Sequence, residues 1–447
     1  MSCDLRKSIT NVNLRLFAAL LFMGLVPTLY TTFRVFLVGQ LPGEWSYSIA
    51  GQLTWVNLLY EIMDEAIILP LFFCLGSPKN DQEGFSNRIK TGMAAAGIIY
   101  TAFAFFIIIF AKPMLAAMAA DKAILSESAV YIRIESIANI FGILYRFLCV
   151  AIISAGREKS VYIITGAKLV LCLLFDACLV STLSLSANLG VNGIGYSNIL
   201  VNAILTVIAW TMLQKNGYIQ KKKLSFKWLK GFLKIGGISG LESLIRNTAY
   251  ILMVSRMVNM VGEQGTYWVA NNFIWGWMLL PVLQLGELIK QETAEKETNI
   301  ERNTPAYFAI TFIIIIIWIL TIPLYKPFMG EVLGFQDVNK LFRLIMILFV
   351  PYAAFAFQNI FDATFYGRGK TNYMLFEAIL TNSIYYGAAF VLYQLGIWKP
   401  SLFSIAVLFG VGNIFDSLVS GVIYRYFRKS RFAQARGLKD QSGAWKK

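Results

Sequence analysis

Gly156-Arg157-Glu158-Lys159-Ser160-Val161-Tyr162 and Gly367-Arg368-Gly369-Lys370-Thr371-Asn372-Tyr373 are two versions of one phrase, each placed just after a long apolar run. A single Gly-Arg dipeptide would carry little. Two further pairs keep the same order: Tyr47, Ala50 and Trp55 recur as Tyr267, Ala270 and Trp275, and Lys112-Pro113 recurs as Lys326-Pro327. Three matches in one order, at slowly drifting spacing, mark an internal repeat that divides the chain into halves.

What repeats is a series of apolar stretches. With 57% hydrophobic and 15% charged residues over 447 positions, the chain lies outside the composition of soluble domains. A spanning helix needs about 20 apolar residues. Twelve such stretches run near 14–39, 47–75, 89–111, 129–153, 161–185, 191–214, 230–261, 267–290, 305–325, 341–365, 372–396 and 402–427. Six per half is an even number, so both halves enter the membrane from the same side, as parallel repeats about a pseudo-twofold along the membrane normal. The expected fold is an all-α polytopic membrane protein of twelve transmembrane helices. It comprises a first lobe at 1–214, a cytoplasmic linker at 215–229, a second lobe at 230–427 and a basic tail at 428–447. The first stretch follows Arg6 and Lys7, but it is too long for a removable leader and lacks a small-residue cleavage site.

The formal net charge of +15 invites a nucleic-acid reading until the basic residues are placed. Counting loops alternately, one set carries most of the 40 Lys and Arg, including Lys221, Lys222 and Lys223. The opposite set holds Lys112, Lys122, Lys326, Lys340 and Lys399. That asymmetry predicts a multi-pass protein of the plasma membrane (the inner membrane in a two-membrane cell) with both termini cytoplasmic. It leaves nucleic acid without a role. Cys3, Cys74, Cys149, Cys172 and Cys178 show neither metal spacing nor a secreted pairing pattern. Histidine is absent, which removes imidazole ligands, Ser-His-Asp triads and histidine proton relays. No resident cofactor and no metal are expected, and any proton handling falls to carboxylates.

The glycine and basic motifs resemble those of the multidrug and toxic compound extrusion (MATE) family, within the superfamily that also holds polysaccharide and lipid II flippases. The resemblance covers nearly the whole chain. It is carried by Val38-Gly39, Gly156-Arg157 with Lys159-Ser160, and Leu189-Gly190-Val191-Asn192-Gly193-Ile194-Gly195. Lys234-Ile235-Gly236, Gly240-Leu241-Glu242 and Gly367-Arg368-Gly369-Lys370-Thr371 complete it. The resemblance implies coupling carboxylates in the first and fifth spans. The fifth is matched by Asp176, whereas Arg34 stands where prokaryotic members commonly have aspartate. A lone intramembrane charge costs at least about 2.5–3.5 kcal/mol, so Arg34 and Asp176 are expected to form a salt bridge.

Other charges fall inside apolar runs. Glu61, Asp64 and Glu65 share a helix face and cannot all ionise in a low dielectric, which makes them candidates for binding a proton or cation unless Arg133 or Arg146 pairs with them. Glu242 and Arg246 stand four apart, as an internal pair or a coupling glutamate with its neighbour. Glu287 and Asp362 raise the same question, Asp362 near the membrane surface. Trp275, Trp277 and Tyr385-Tyr386 are assigned to the interfacial aromatic belt, with a cavity for flat organic cations beside carboxylates as the alternative. The expected function is secondary transport: export of small organic, cationic or amphipathic compounds by alternating access, as a monomeric antiporter in the lipid bilayer, with sodium or a proton as the driving ion. The alternative is a flippase for lipid-linked saccharide, suited by Arg34, Arg246 and Arg256 as phosphate partners. No nucleotide-binding motif and no enzyme constellation is present.

Overall fold

The computed structural model describes residues 2–43, 45–76, 81–220, 224–296 and 298–443, with the backbone only at 2–6, 69, 72–73, 158, 242 and 430–443. The Lys221, Lys222 and Lys223 loop, the Cys3 and Glu242 side chains and most of the basic tail lie outside the described parts. A short helix α1 (Ser2–Asn11) precedes the first half. That half comprises α2 (Leu14–Gly39), α3 (Ser46–Gly51) and α4 (Leu53–Cys74) in line, α5 (Gln82–Ala117), α6 (Leu125–Ser154), α7 (Glu158–Leu179) and α8 (Asn192–Lys215). In the second half α9 (Leu229–Ala249) continues into α10 (Arg256–Met260), and α11 (Gln264–Phe273) into α12 (Leu280–Glu295). Then come α13 (Asn299–Pro327), α14 (Val338–Gly367), α15 (Thr371–Leu380) with α16 (Gly387–Gln394), and α17 (Leu402–Gly443).

The all-α membrane fold expected from the sequence is present. Among the described residues nine helices are long and apolar enough to cross a membrane, ten when the 52° bend between α11 and α12 is read as one broken span. The two other expected spans carry charge that dilutes their hydropathy: α4 holds Glu61, Asp64 and Glu65, and α9 with α10 holds Lys230, Lys234, Arg246 and Arg256. Packing repeats as well. In the first half α6 packs on α4, α5 and α8; in the second α14 packs on α12, α13 and α17. A main buried apolar core lies in each half, with two smaller clusters beside them, and large apolar side chains such as Phe105, Ile163, Leu320 and Leu418 face outward toward lipid.

The Gly-Arg phrase that announced the repeat closes α6 and α14 in the same way, but two residues out of the register read from sequence. After α6, Gly156 has φ +71° while the N–H groups of Gly156 and Arg157 bond back to Ile153 and Ile152. After α14 it is Gly369, at φ +63°, that does this, with Gly369 and Lys370 bonding back to Tyr366 and Phe365. The backbone needs a residue without Cβ at the left-handed position of this helix stop. Gly156 therefore matches Gly369, not Gly367. Gly367 serves close packing instead, where a Cβ would stand 2.6 Å from the Lys290 carbonyl.

The halves meet along α2 and α12, α3 and α11, and α4 and α9. On the face opposite the basic loops Gln52 Nε2 donates to Asn259 Oδ1 at 2.8 Å, Asn259 Nδ2 donates to the Met118 carbonyl at 3.0 Å, and Gln264 Nε2 donates to the Gly51 carbonyl at 2.7 Å. Toward the basic loops, buried Glu292 accepts from the Asn13 N–H at 2.7 Å and from Tyr307 at 2.5 Å, tying the start of α2 to α12 and α13. In the third contact Gly236 lets α9 lie against α4, since a Cβ there would fall on the Ala66 carbonyl oxygen, whereas Gly237 faces open space. Gly236→Ala is expected to destabilise by about 1–3 kcal/mol through overpacking and Gly237→Ala to leave stability unchanged, as read by thermal unfolding of tryptophan fluorescence in detergent.

Candidate functional site

Two adjoining chambers lie between and within the halves. The larger, about 860 Å³, is walled by α2, α4, α9, α11, α12, α14, α15 and α17; the smaller, about 420 Å³, belongs mainly to the first half. Thr31, Thr54, Asn57, Glu61, Trp268 and Asn272 line both.

In the first half, intramembrane charge is cross-linked. Arg34 Nε donates to Asp176 Oδ2 at 2.6 Å and its NH2 to Oδ1 at 3.2 Å, with Asp176 fully buried, so the expected salt bridge joins α2 to α7. Its two-pronged geometry answers the desolvation of both groups. Asp64 accepts from Arg146 NH2 at 2.8 Å and from the Tyr100 hydroxyl. Glu65 accepts from Arg246 NH2 at 2.5 Å, and the same nitrogen stands 3.9 Å from Glu61. The face shared by Glu61, Asp64 and Glu65 is thus divided between Arg146 of α6 and Arg246 of α9. Arg133, the other partner considered, donates to the Ile108 carbonyl instead. Arg246 reaches across the halves to Glu65 and, within its own half, donates to the Tyr366 hydroxyl at 3.1 Å; Glu242, its expected neighbour, lies outside the described side chains. Glu287 pairs with Lys290 at 2.7 Å.

The second half holds acids of a different kind. Gln358 on α14 donates through Nε2 to Glu377 Oε1 at 2.9 Å and to Asp416 Oδ2 at 2.8 Å, and accepts from Ser417 at 2.9 Å. Thr381 donates to Asp416 Oδ1 at 2.6 Å and Ser420 to Asp362 Oδ1 at 2.8 Å. The second oxygen of Glu377 is buried without a partner. Asp362, five residues before the end of α14, lines the large chamber with Glu377 and Asp416. Among the described residues no Lys or Arg lies within ion-pair distance of these three acids; amides and hydroxyls supply their hydrogen bonds, and Arg246 of the same chamber acts on Asp362 and Asp416 only at longer range. Unpaired carboxylate in such surroundings is costly, and a proton or a small cation would discharge it.

Sequence reading missed Glu377 and Asp416, although each is a lone acid in an apolar run and such residues are functional candidates by default. The belt assignment also fails for two residues. Trp275 lines the large chamber, 6.2 Å edge-on to Tyr352 and 5.8 Å from Phe355, and Tyr386 lines it too. Trp277 donates to the Thr32 hydroxyl at 2.9 Å across the halves. The helices bearing these rings are irregular. At Leu279 and Leu333 the N–H bonds back five residues, to Ile274 and Phe328, and π turns occupy Tyr250–Ser255, Ile274–Met278, Phe328–Val332 and Thr381–Tyr386. All four belong to the second half. Such turns are frequent at functional sites.

The family model MatE matches residues 76–178. No curated protein matches the sequence. Among solved structures the chain is similar to an inward-facing multidrug resistance MATE family transporter of the MOP superfamily, at 17% identity, TM-score 0.74, and coverage of 91% of this chain and 95% of that one. An outward-facing transporter of the same description gives 17% identity, TM-score 0.69, and coverage of 96% and 97%. A MOP superfamily transporter from Pyrococcus furiosus, whose binding pocket is described as reversed in polarity and suggestive of a different function, gives 18% identity, TM-score 0.67, and coverage of 95% and 96%. The resemblance read from the motifs therefore holds, and the two-lobe, twelve-helix fold is that of the MATE transporters.

Removing one partner of a buried ion pair costs about 3–5 kcal/mol because it strands the other, whereas an apolar replacement of both is often neutral. Asp176→Asn is accordingly expected to lower thermal stability strongly, and the double change Arg34→Met with Asp176→Leu to restore most of it in the same melting assay.

Proposed function

We propose that this chain is a secondary transporter that carries small organic solutes, cationic or amphipathic, across a bilayer by alternating access of its two lobes. The driving ion, a proton or sodium, is taken by Asp362, Glu377 and Asp416 and not by Asp176. The observation that carries this reading is the three carboxylates lining the inter-lobe chamber on neutral donors alone, with one oxygen of Glu377 unused. Asp176 already holds a guanidinium, which stays charged at any physiological pH and cannot leave. The aromatic wall beside the acids, Trp275, Tyr352 and Tyr386, suits the flat face of an organic cation through cation–π attraction.

Alternation requires the two sets of inter-lobe bonds to break in turn: the Gln52, Asn259 and Gln264 set on one face, and the Glu65–Arg246 and Asn13–Glu292 links on the other. The basic-loop face lies in the cytoplasm of the plasma membrane, and the chain works as a monomer. Against the flippase alternative stand Arg34 and Arg246, which pair with acids, and Arg256, which donates to the Ala117 carbonyl.

Uptake of a fluorescent organic cation into proteoliposomes, under an imposed proton gradient and then a sodium gradient, tests the reading. One of the two gradients is expected to drive uptake, Glu377→Gln to reduce that uptake to background, and Asp176→Asn to retain it in the protein that survives folding. Uptake under neither gradient would count against secondary transport, and lost coupling in Asp176→Asn with retained coupling in Glu377→Gln would move the ion site to the first half.

A further inference from the structure

The smaller chamber contains cationic donors that ion coupling leaves unused. Lys168 on α7 is half-buried, its ammonium 5.7 Å from the Tyr30 ring centre and 5.4 Å from that of Tyr145. The acids around it are already engaged: Asp176 by Arg34, Asp64 by Arg146, Glu135 by Asn198 at 2.8 Å, and Glu61 near Arg246. Among the described residues no carboxylate comes within 4 Å of Lys168. In the same wall Arg146 spends NH2 on Asp64 while its Nε is buried without an acceptor.

Two positively charged side chains thus line one polar chamber of about 420 Å³: Lys168, with no carboxylate in reach among the described residues, and Arg146, whose side chain is 38% exposed and engages Asp64 through NH2 alone. The tyrosine faces stabilise the charge of Lys168 but do not replace a directed charge-assisted bond. Asn139 adds a neutral amide to the same wall, beside Asn202, which donates to the Ala138 carbonyl at 3.2 Å. The shared lining at Asn57 and Trp268 sets the chamber directly beside the acidic, aromatic one at the lobe interface.

We propose that this chamber is an oxyanion subsite, in which Lys168 and Arg146 receive a carboxylate, sulfonate or phosphate group of the transported solute. The solute's cationic or apolar part then lies against the rings and acids of the second half, so the preferred cargo carries both signs of charge. This rests on the transport reading above and narrows its substrate class. A solute held at both ends couples the two lobes through its own length.

The test uses rhodamine B and its ethyl ester, which share the cationic ring system and differ in whether the pendant carboxylate is free. Binding to the full-length protein in phosphatidylcholine nanodiscs is followed by fluorescence anisotropy with no gradient, so the outcome does not depend on which ion, if any, drives uptake. Lys168→Met is expected to weaken rhodamine B by about tenfold, the scale of one lost bond to a charged group, while the ester changes by less than about twofold. Lys168→Arg, which keeps the charge, is expected to retain the preference for the free acid. Equal loss of both dyes, or no loss of either, would overturn the proposal. So would rhodamine B binding that falls on adding phosphatidylglycerol in wild type but not in Lys168→Met, since that assigns the site to a lipid headgroup.

Discussion

Charge buried among lipid tails must be met by opposite charge, by a proton or by water, and the two halves of this molecule answer that demand differently. The first half answers with arginine. Arg34 ties α2 to α7 through Asp176, Arg146 ties α6 to α4 through Asp64, and Arg246 extends the scheme across the lobe interface to Glu65. Each of these bonds joins elements far apart in sequence, so the cost of stranding a charge fixes the relative placement of whole helices. The second half answers with amides and hydroxyls around Asp362, Glu377 and Asp416, groups that orient a carboxylate without neutralising it. Equivalent frames therefore carry unequal duties: one is held by permanent counter-charges, the other awaits a mobile one.

Architecture was legible in the chain because apolar length and alternating loop charge are dictated by the solvent, and lipid imposes them on every span. The Arg34–Asp176 pair was legible for a related reason, as lone opposite charges in apolar runs of one half have few places to go. The acid cluster was not. Glu377 and Asp416 stand on α15 and α17, without a partner on their own helix, and only the packing of α14 between them brings Gln358 to both. Sequence spacing likewise misjudged the end of α14. Identity favoured Gly367, whereas the backbone asked where φ turns positive and chose Gly369. Trp275 and Tyr386 were assigned to the belt because no periodicity tells which side of an irregular helix a ring will occupy. Both sit in π turns, where the 3.6-residue count breaks down.

Those π turns give the second half a property the first lacks. A π turn stores one residue more than a regular turn needs, and passing that residue along the helix rotates the stretch it traverses by about 100°, the angular step of one residue. The rings and hydroxyls of Trp275, Thr381 and Tyr386 sit within such turns, so the second half can change which side chains it shows the chamber by twisting single helices in place. Among the described residues the arginine-braced helices of the first half contain no π turn. The molecule thus works mechanically as a fixed jaw opposed by a jaw with rotating teeth.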